Sequence, residues 1–561
     1  MRRRRSLLSI NSLLSSLSLI LTTTMDRNHR VLFLGVSLFS CFFTIIHSEV
    51  NTTTAGGIST STSILTSCLR SSGVRNFTVS SSPPSAAYSL LLNSSIRNLR
   101  FAGPDTPKPS AIILPCTKED LRNAVLCLRK ASLAIRVRSG GHSYEGLSYT
   151  GDPYVPFAVV DLVNLNKVRV DPDSLTAWAE SGATVGEIYY AVAASNRSLA
   201  FSAGSCTTVG SGGQISGGGF GLLSRKYGLA ADNVLDAVLI DSSGRVLNRE
   251  SMGEDVFWAI RGGGGGSWGA VYAWKLRLVP VPERVTACTP TRSGPTRSVA
   301  ELVHKWQYVA PSLPDELYLS VYIAGSGGGN VSASFTGFFL VPRGAAISIL
   351  SQRFPELGLA ESDCDEVSWI ESAVRFAGLD SVSDLTSRRS RGRAFFKAKS
   401  DYVRAPIGKN GLIAALDWLS KKEEAYVILD PYGGEMGRVR SDRIAFPHRG
   451  GNLYGIQYMV DWSAEETGEG YVAWLRGFYE YMGRYVSKKP RAAYVNYVDL
   501  DLGTVDWSGG GPRNAVGDAR VWGERYFLGN YDRLVKAKTQ IDPHNVFNNA
   551  QSIPPLPTTR G

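Results

Sequence analysis

Two glycine-rich segments, set about 60 residues apart between Arg136 and Gly221, constrain this chain more than any other feature. The first reads Arg138-Ser139-Gly140-Gly141-His142-Ser143-Tyr144-Glu145-Gly146 and follows an apolar, β-like run. The second reads Gly204-Ser205-Cys206-Thr207-Thr208-Val209-Gly210, then Gly212-Gly213-Gln214-Ile215-Ser216-Gly217-Gly218-Gly219. Glycine lets the backbone turn tightly and lets successive N–H groups converge on one point, an arrangement that suits a pyrophosphate. Each segment also carries one reactive side chain, an imidazole or a thiol. Tight turns alone would explain the glycines but not this pairing with His142 and Cys206.

The pair of motifs resembles the berberine bridge enzyme-like family of secreted plant flavoproteins, within the wider vanillyl-alcohol-oxidase fold. The likeness runs from about Cys68 to Leu556. It implies an α+β architecture: a two-part FAD-binding domain of the PCMH type, with an α+β substrate domain laying an antiparallel sheet over the flavin. It also implies FAD held by two covalent bonds, His142 to the 8α carbon and Cys206 to carbon 6. Arg138, Ser139, Gly140, Gly141, Ser143, Gly210, Gly212, Gly213, Ser216, Gly217 and Gly218 are the further cofactor-binding positions. Val209 corresponds to a gate on the oxygen side of the flavin, where a small residue goes with oxidase behaviour. The run Gly262–Gly266 matches a glycine string beside the flavin, although by itself it would read as a linker. No metal is expected.

The resemblance also supplies catalytic candidates. Asn496-Tyr497-Val498-Asp499-Leu500-Asp501 matches a motif whose Tyr faces the flavin, with Val498 where Arg is usual. Tyr144 matches a second active-site Tyr. Gln457 stands where alkaloid-bridging relatives carry a Glu base. An amide cannot take a proton at useful pH, which favours alcohol oxidation over bridge formation. Phe220 replaces a Tyr, and Gly455 a Lys, found in some alcohol-oxidising relatives. A tyrosine titrates near pH ~10, so Tyr497 or Tyr144 needs cationic or hydrogen-bonding help to act as the base. The expected reaction is oxidation of an alcohol or hemiacetal carbon, in a cell-wall oligosaccharide or a phenolic alcohol, with O2 reduced to H2O2. The alternatives are a low-turnover, flavin-loaded carbohydrate-binding glycoprotein and an alkaloid oxidase. A nicotinamide-binding Rossmann unit is disfavoured, because no G-x-G-x-x-G joins a strand to a helix with an acid about 20 residues on.

At 561 residues the chain exceeds what one hydrophobic core supports. Residues 1–48 read as a leader and signal peptide, 49–284 as the first part of the FAD domain, 285–489 as the substrate domain and 490–561 as a segment returning to the FAD domain. Within the leader, Met25 is read as the working start, followed by Arg27, Arg30 and an apolar run Val31–Ile46, with cleavage near Ser48. An organellar transit peptide is the other reading of the Arg- and Ser-rich start. Removing residues 1–49 takes away six Arg and two acids and lowers the net charge from +11 to +7. Moderate basicity fits a polyanionic cell wall. No basic patch interleaved with aromatics, and no nucleic-acid motif, is present. The expected partners are O2 and a small-molecule or oligosaccharide substrate. A secreted or cell-wall monomer is expected, with no membrane span once the signal is removed.

Sequons at Asn51, Asn76, Asn93, Asn196 and Asn330 agree with secretion. The resemblance implies a Cys68–Cys127 disulfide. Cys116, Cys288 and Cys364 remain, an odd number, so at least one free and buried thiol is expected. The arginine-rich stretch Ser387–Arg393 reads as a solvated loop, or as a dock for an anionic oligosaccharide. Among the local elements, a helix is expected over 117–130, strands over 134–138, 234–240, 245–249, 271–279, 318–324, 332–339, 426–429 and 453–460, and a helix over 299–309.

Overall fold

The helix expected over 117–130 forms at Lys118–Lys130, for the reason its sequence suggests. Thr117 Oγ1 accepts from the Asp120 amide at 3.0 Å, and the Asp120 carboxylate accepts from the Thr117 amide at 3.1 Å. This reciprocal cap satisfies two orphan donors of the first turn. Its apolar stripe, Leu121, Ala124, Val125 and Leu128, is fully buried, and Cys127 beside it is bonded to Cys68. These coordinates are a computed structural model, which describes residues 60–388, 392–463, 468–508 and 511–557. The leader and signal peptide, Asn51, Arg389 and Arg391 lie outside the described residues.

Three sheets organise the chain. The first has the order β1 (Phe77–Val79), β2 (Ala111–Ile113), β4 (Phe157–Asp161), β3 (Ala134–Arg138); β2, β4 and β3 run parallel and β1 antiparallel. The second is antiparallel, in the order β5 (Val168–Asp171), β6 (Thr176–Glu180), β10 (Ala270–Arg277), β8 (Val234–Ile240), β9 (Val246–Leu247). Two short strands, β7 (Leu199–Ala200) and β11 (Val279–Pro280), pair with each other. The third sheet has eight antiparallel strands. Its order is β16 (Cys364–Val367), β12 (Val285–Cys288), β15 (Asn330–Phe339), β14 (Leu317–Gly325), β18 (Ala425–Pro431), β19 (Tyr454–Trp462), β17 (Phe395–Val403), with β13 (Thr291–Pro295) on β15. The architecture is α+β, as expected.

Alternation along the third sheet divides its two faces. Leu317, Leu319, Val321 and Ile323 of β14 and Val427 and Leu429 of β18 enter a core closed by the helices Thr296–Val309, Lys409–Leu419 and Gly468–Met482. The residues between them, among them Tyr318, Ser320, Ile428 and Asp430, look the other way into a cavity. A second, larger core draws on both sides of the boundary expected near residue 284, joining Trp258 and Trp274 to Tyr318 and Phe338. Among the described residues no helix is long and apolar enough to cross a membrane.

Several local expectations are corrected. Residues 245–249 give only the two-residue β9, because Asn248 caps a short helix at Arg249–Met252. Cys288 and Cys364 sit directly opposite each other on β12 and β16 and are bonded. The free thiol outside the motifs is Cys116, and it is exposed rather than buried. Its amide is held by Asp120 at 3.0 Å at the helix entrance, where the chain runs along the surface. The arginine stretch is not simply solvated. Arg388 makes a two-pronged pair with Glu187, at 2.9 and 2.6 Å, and also donates to the Gly182 carbonyl, while Arg393 donates to the Ile96 carbonyl.

Strand β17 was not expected, and it carries a buried ion cluster. Lys397 Nζ pairs with Glu145 and with Asp499 (2.7 Å); Lys399 Nζ pairs with Asp499 (2.6 Å) and Asp501 (2.8 Å). Both lysines are 3% exposed or less. Burial alone would raise the Asp501 carboxyl, but Arg476 and the two lysines outweigh it and hold it well below the usual carboxylate range. Such a group adds stability above the unfolded carboxylate pKa of ~4, and that stability is lost as pH falls further. Lys399→Met should remove the cation shared by two buried carboxylates, leaving Asp499 to Lys397 and Asp501 to Arg476, and lower unfolding stability by about 3 kcal/mol, the low end for a broken buried pair. Arg476→Met, at the exposed rim of the same cluster, should cost about 1 kcal/mol or less. Urea unfolding of the two variants at pH 7 checks the contrast; equal losses would contradict it.

Candidate functional site

The two glycine segments meet backbone to backbone. A Cβ placed on Gly140 would lie 2.2 Å from the Gly210 nitrogen, and one placed on Gly210 would lie 2.0 Å from Ser139 Oγ. No other residue type fits at either position, so the two loops interlock. The first leaves β3 with Ser139 Oγ donating to the Ser181 carbonyl at 2.6 Å. The second is clamped along the start of the helix Val185–Ser195: the Val185 amide donates to Val209 O and the Gly186 amide to Thr207 O.

The interlock brings His142 and Cys206 to one place. Thr208 Oγ1 lies 3.1 Å from His142 Nε2 and 3.8 Å from Cys206 Sγ. Burial, and then the nearby Arg97 guanidinium, push the His142 imidazole down to about 3, so it is neutral across the physiological range. Cys206 is exposed toward the opening it lines.

Both side chains line a cavity of about 630 Å³. Ser139, Gly140, Gly141, Ser143, Val209, Gly210, Gly212, Gly213 and Ser216 form part of its wall, as does the glycine string at Gly263–Gly266. That string is pinned, with the Gly262 and Gly264 amides both donating to the Ser216 carbonyl. Three expected cofactor positions lie off the wall. Arg138 is fully buried beneath the loop in an ion pair with Asp161, at 3.0 and 2.6 Å. Gly217 packs against Asn496, and Gly218 against Phe446.

The cavity fits FAD on two counts. Among the described residues the amides from Gly140 to Ser143 have no acceptor, and Gly141 is buried. Successive amides left open in this way suit an anion such as a pyrophosphate. Gly213 faces free space, and a Cβ on Gly265 would stand at ordinary contact, 3.7 Å, from the Ser216 side chain, so both leave room that a larger side chain would take.

The third sheet supplies the opposite wall through Tyr318, Ser320, Tyr322, Ile428, Asp430 and Gln457. Tyr144 and Tyr497 stack with centroids 5.5 Å apart and planes 1° from parallel. Gln457 Nε2 donates to the Tyr144 hydroxyl at 2.6 Å and fixes it. Burial pushes the Tyr144 hydroxyl up. Burial, then the charge of Asp430, push Tyr497 well up. Both phenols stay protonated at neutral pH.

Asp430 lines the same wall and belongs to none of the sequence motifs. Tyr318 donates to its Oδ1 at 2.5 Å, and burial raises the carboxyl to about 6. The strand expected over 426–429 stops one residue short of it, since Asp430-Pro431 reads as a strand end; the strand in fact runs through Pro431.

Comparison with known proteins agrees with this geometry. The FAD-binding domain family matches residues 109–249, and the berberine and berberine-like family matches residues 493–554. Berberine bridge enzyme-like D-2 of Nicotiana tabacum is 51% identical over 551 residues, covering 94% of this chain and 96% of the relative. Reticuline oxidase of Papaver somniferum is 50% identical over 498 residues, covering 88% and 92%. The solved berberine bridge enzyme of Eschscholzia californica superposes with a TM-score of 0.85 at 49% identity, covering 88% of this chain and 99% of that one. A PCMH-type fold, an FAD-binding cavity and these relatives together make the chain a member of the berberine bridge enzyme-like family of FAD-linked oxidoreductases.

Proposed function

We propose that the chain is a secreted oxidase with doubly attached FAD that takes hydride from an alcohol carbon and reduces O2 to H2O2. The observation that carries the reading is the composition of the wall facing His142 and Cys206. Its sheet side is built from the phenol rings of Tyr318 and Tyr322, from Ile428 and from the uncharged polar Ser320, Thr336 and Gln457, and Asp430 is the one charged side chain that the sheet contributes among the described residues. Such a wall suits a neutral aromatic alcohol and repels a uronic-acid oligosaccharide. FAD, when bound, supplies a two-electron acceptor that O2 can reoxidise. His142 and Cys206 would anchor the ring system at two points, and the neutral state of His142 leaves a nitrogen free for bonding. Gln457 orients the Tyr144 hydroxyl, and Tyr497 stacks behind it to shape the substrate slot. Val209, on the wall, is the proposed oxygen gate. Four of the five sequons, Asn76, Asn93, Asn196 and Asn330, are exposed, and two disulfides are formed, both in keeping with secretion and glycosylation.

One observation favours a second reading. Asp430 faces the cavity without a cation, which would also attract a protonated amine, and reticuline oxidases are among the 50%-identical relatives. A peroxide assay on the purified yellow protein separates the readings. The panel is a phenolic allylic alcohol, a neutral cello-oligosaccharide, a uronic-acid oligosaccharide and reticuline. The alcohol should release peroxide and the uronide none. Turnover confined to reticuline would replace the alcohol reading, and no turnover at all would leave a flavin-loaded carbohydrate-binding glycoprotein.

The flavin should remain with the polypeptide after acid precipitation of the wild type. It should also remain in His142→Ala and in Cys206→Ala, and be released only from the double variant; release of all flavin from the wild type sinks the double attachment. Val209→Leu should slow reoxidation by O2 while sparing flavin reduction by substrate. Stopped-flow traces with unchanged reoxidation would remove Val209 from the gate.

A further inference from the structure

In the reading above, the alcohol must lose its hydroxyl proton as its carbon loses hydride, and none of the motif residues can take that proton at neutral pH. Gln457 is an amide, and burial holds the Tyr144 and Tyr497 phenols in the protonated form. We propose that Asp430 on β18 is the proton acceptor in this chain, its carboxylate held by the Tyr318 hydroxyl and its second oxygen turned to the substrate. The proposal rests on the alcohol-oxidase reading and names the base which that reading lacks.

Strand register puts Asp430 in the right place. In the β18–β19 ladder Asp430 stands opposite Gly455, and Ile428 stands opposite Gln457. Directly paired residues share a face, so Asp430 lies one pair along from Gln457 on the cavity side. Tyr318 occupies one carboxylate oxygen at 2.5 Å. Among the described residues this is the one hydrogen bond to the carboxylate, and Asp430 lines the cavity. Asp430 also borders a side chamber of about 20 Å³ between Gly455, Tyr402, Tyr432 and Tyr497, enough for one water. That chamber gives an accepted proton a way off the carboxylate.

The position opposite is informative. A Cβ on Gly455 would meet only ring carbons of Tyr402 and Tyr432, at 3.6 to 3.9 Å, so a side chain could be housed there. A Lys at this position would neutralise Asp430. Glycine leaves the carboxylate unpaired and basic. The groups around it are phenols from three elements, Tyr318, Tyr432, and Tyr494 with Tyr497. Asp401 on β17 also lines the chamber but is committed to Arg491 at 2.8 and 2.6 Å. Burial leaves Asp430 titrating at about 6, largely ionised at pH 7 and close enough to neutrality to release its proton again.

The C–H electron pair leaves the alcohol carbon as hydride for the flavin, the O–H proton passes to Asp430, and a C=O bond forms. O2 then takes up the electron pair and two protons as H2O2, one proton from Asp430 and the other the hydrogen that left the carbon as hydride.

Anaerobic rapid mixing of the holoenzyme with the alcohol that gives peroxide tests the assignment. The wild-type flavin reduction rate should rise through about pH 6 and then level. Asp430→Asn keeps the shape and the Tyr318 contact. It should load flavin normally, reduce it ~10²–10⁴-fold more slowly, and lose the pH limb. Tyr318→Phe removes a donor that favours the charged carboxylate, so the limb should move to higher pH. An infrared carboxyl band titrating near pH 6 in the holoenzyme, and missing from Asp430→Asn, gives a readout independent of turnover. If Asp430→Asn reduces flavin within about threefold of the wild type with the same limb, far below the loss expected for a general base, the assignment is overturned and the oxidase reading stands. A wild type that oxidises no member of the panel overturns both.

Discussion

The site depends first on a backbone-to-backbone contact, Gly140 against Gly210. At about 2 Å from the nearest atom there is no room for a methyl group on either side. That contact turns two loops from different parts of the chain into one rigid floor, with an imidazole and a thiol sharing a single hydroxyl neighbour in Thr208. Most of the remaining architecture can be seen as holding this floor. Arg138 and Asp161 close the end of β3 beneath it, and the helix Val185–Ser195 clamps the second loop from the side.

A second constraint holds the roof to the floor. The lysines of β17 reach Glu145, the residue after Tyr144, and Asp499 and Asp501, the acids of the motif that carries Tyr497. Asn98 adds hydrogen bonds to the Tyr144 and Phe396 carbonyls at 2.8 and 2.9 Å. The two acids of that motif therefore do mechanical duty, and its Tyr faces the cavity because they anchor the segment. Arranged in this way, Tyr144, Tyr497 and Gln457 come from three distant stretches of chain yet lie in hydrogen-bond or stacking contact.

What could be read from sequence followed the strength of the local signal. The capped helix at 118–130 and strands β3 and β8 were legible because periodicity, caps and turn residues agreed. The His142 and Cys206 loops were legible because their glycines have only one economical explanation. Strand β17 was not, since Phe-Phe-Lys-Ala-Lys-Ser-Asp places three charges where a half-buried strand should be apolar, and only tertiary partners make their burial tolerable. The Cys288–Cys364 bond was hidden for a related reason: β16 is four residues long and gives no period to count. Asp430 was hidden because an Asp-Pro pair resembles a strand's end.

The alternation of the third sheet has a consequence for how such a protein can change. Each cavity position on β14, β18 and β19 is flanked along its strand by residues whose side chains go into the opposite core: Leu317 and Leu319 beside Tyr318, Leu429 beside Asp430, Ile456 and Tyr458 beside Gln457. Core packing and cavity lining are thus assigned to alternate letters of the same strand. Substitutions at the even-numbered positions 318, 320, 428 and 430, or at their partners 455 and 457, alter the cavity while the packing behind it stays intact. Drift in these six letters would reshape the cavity and leave the core behind it unchanged.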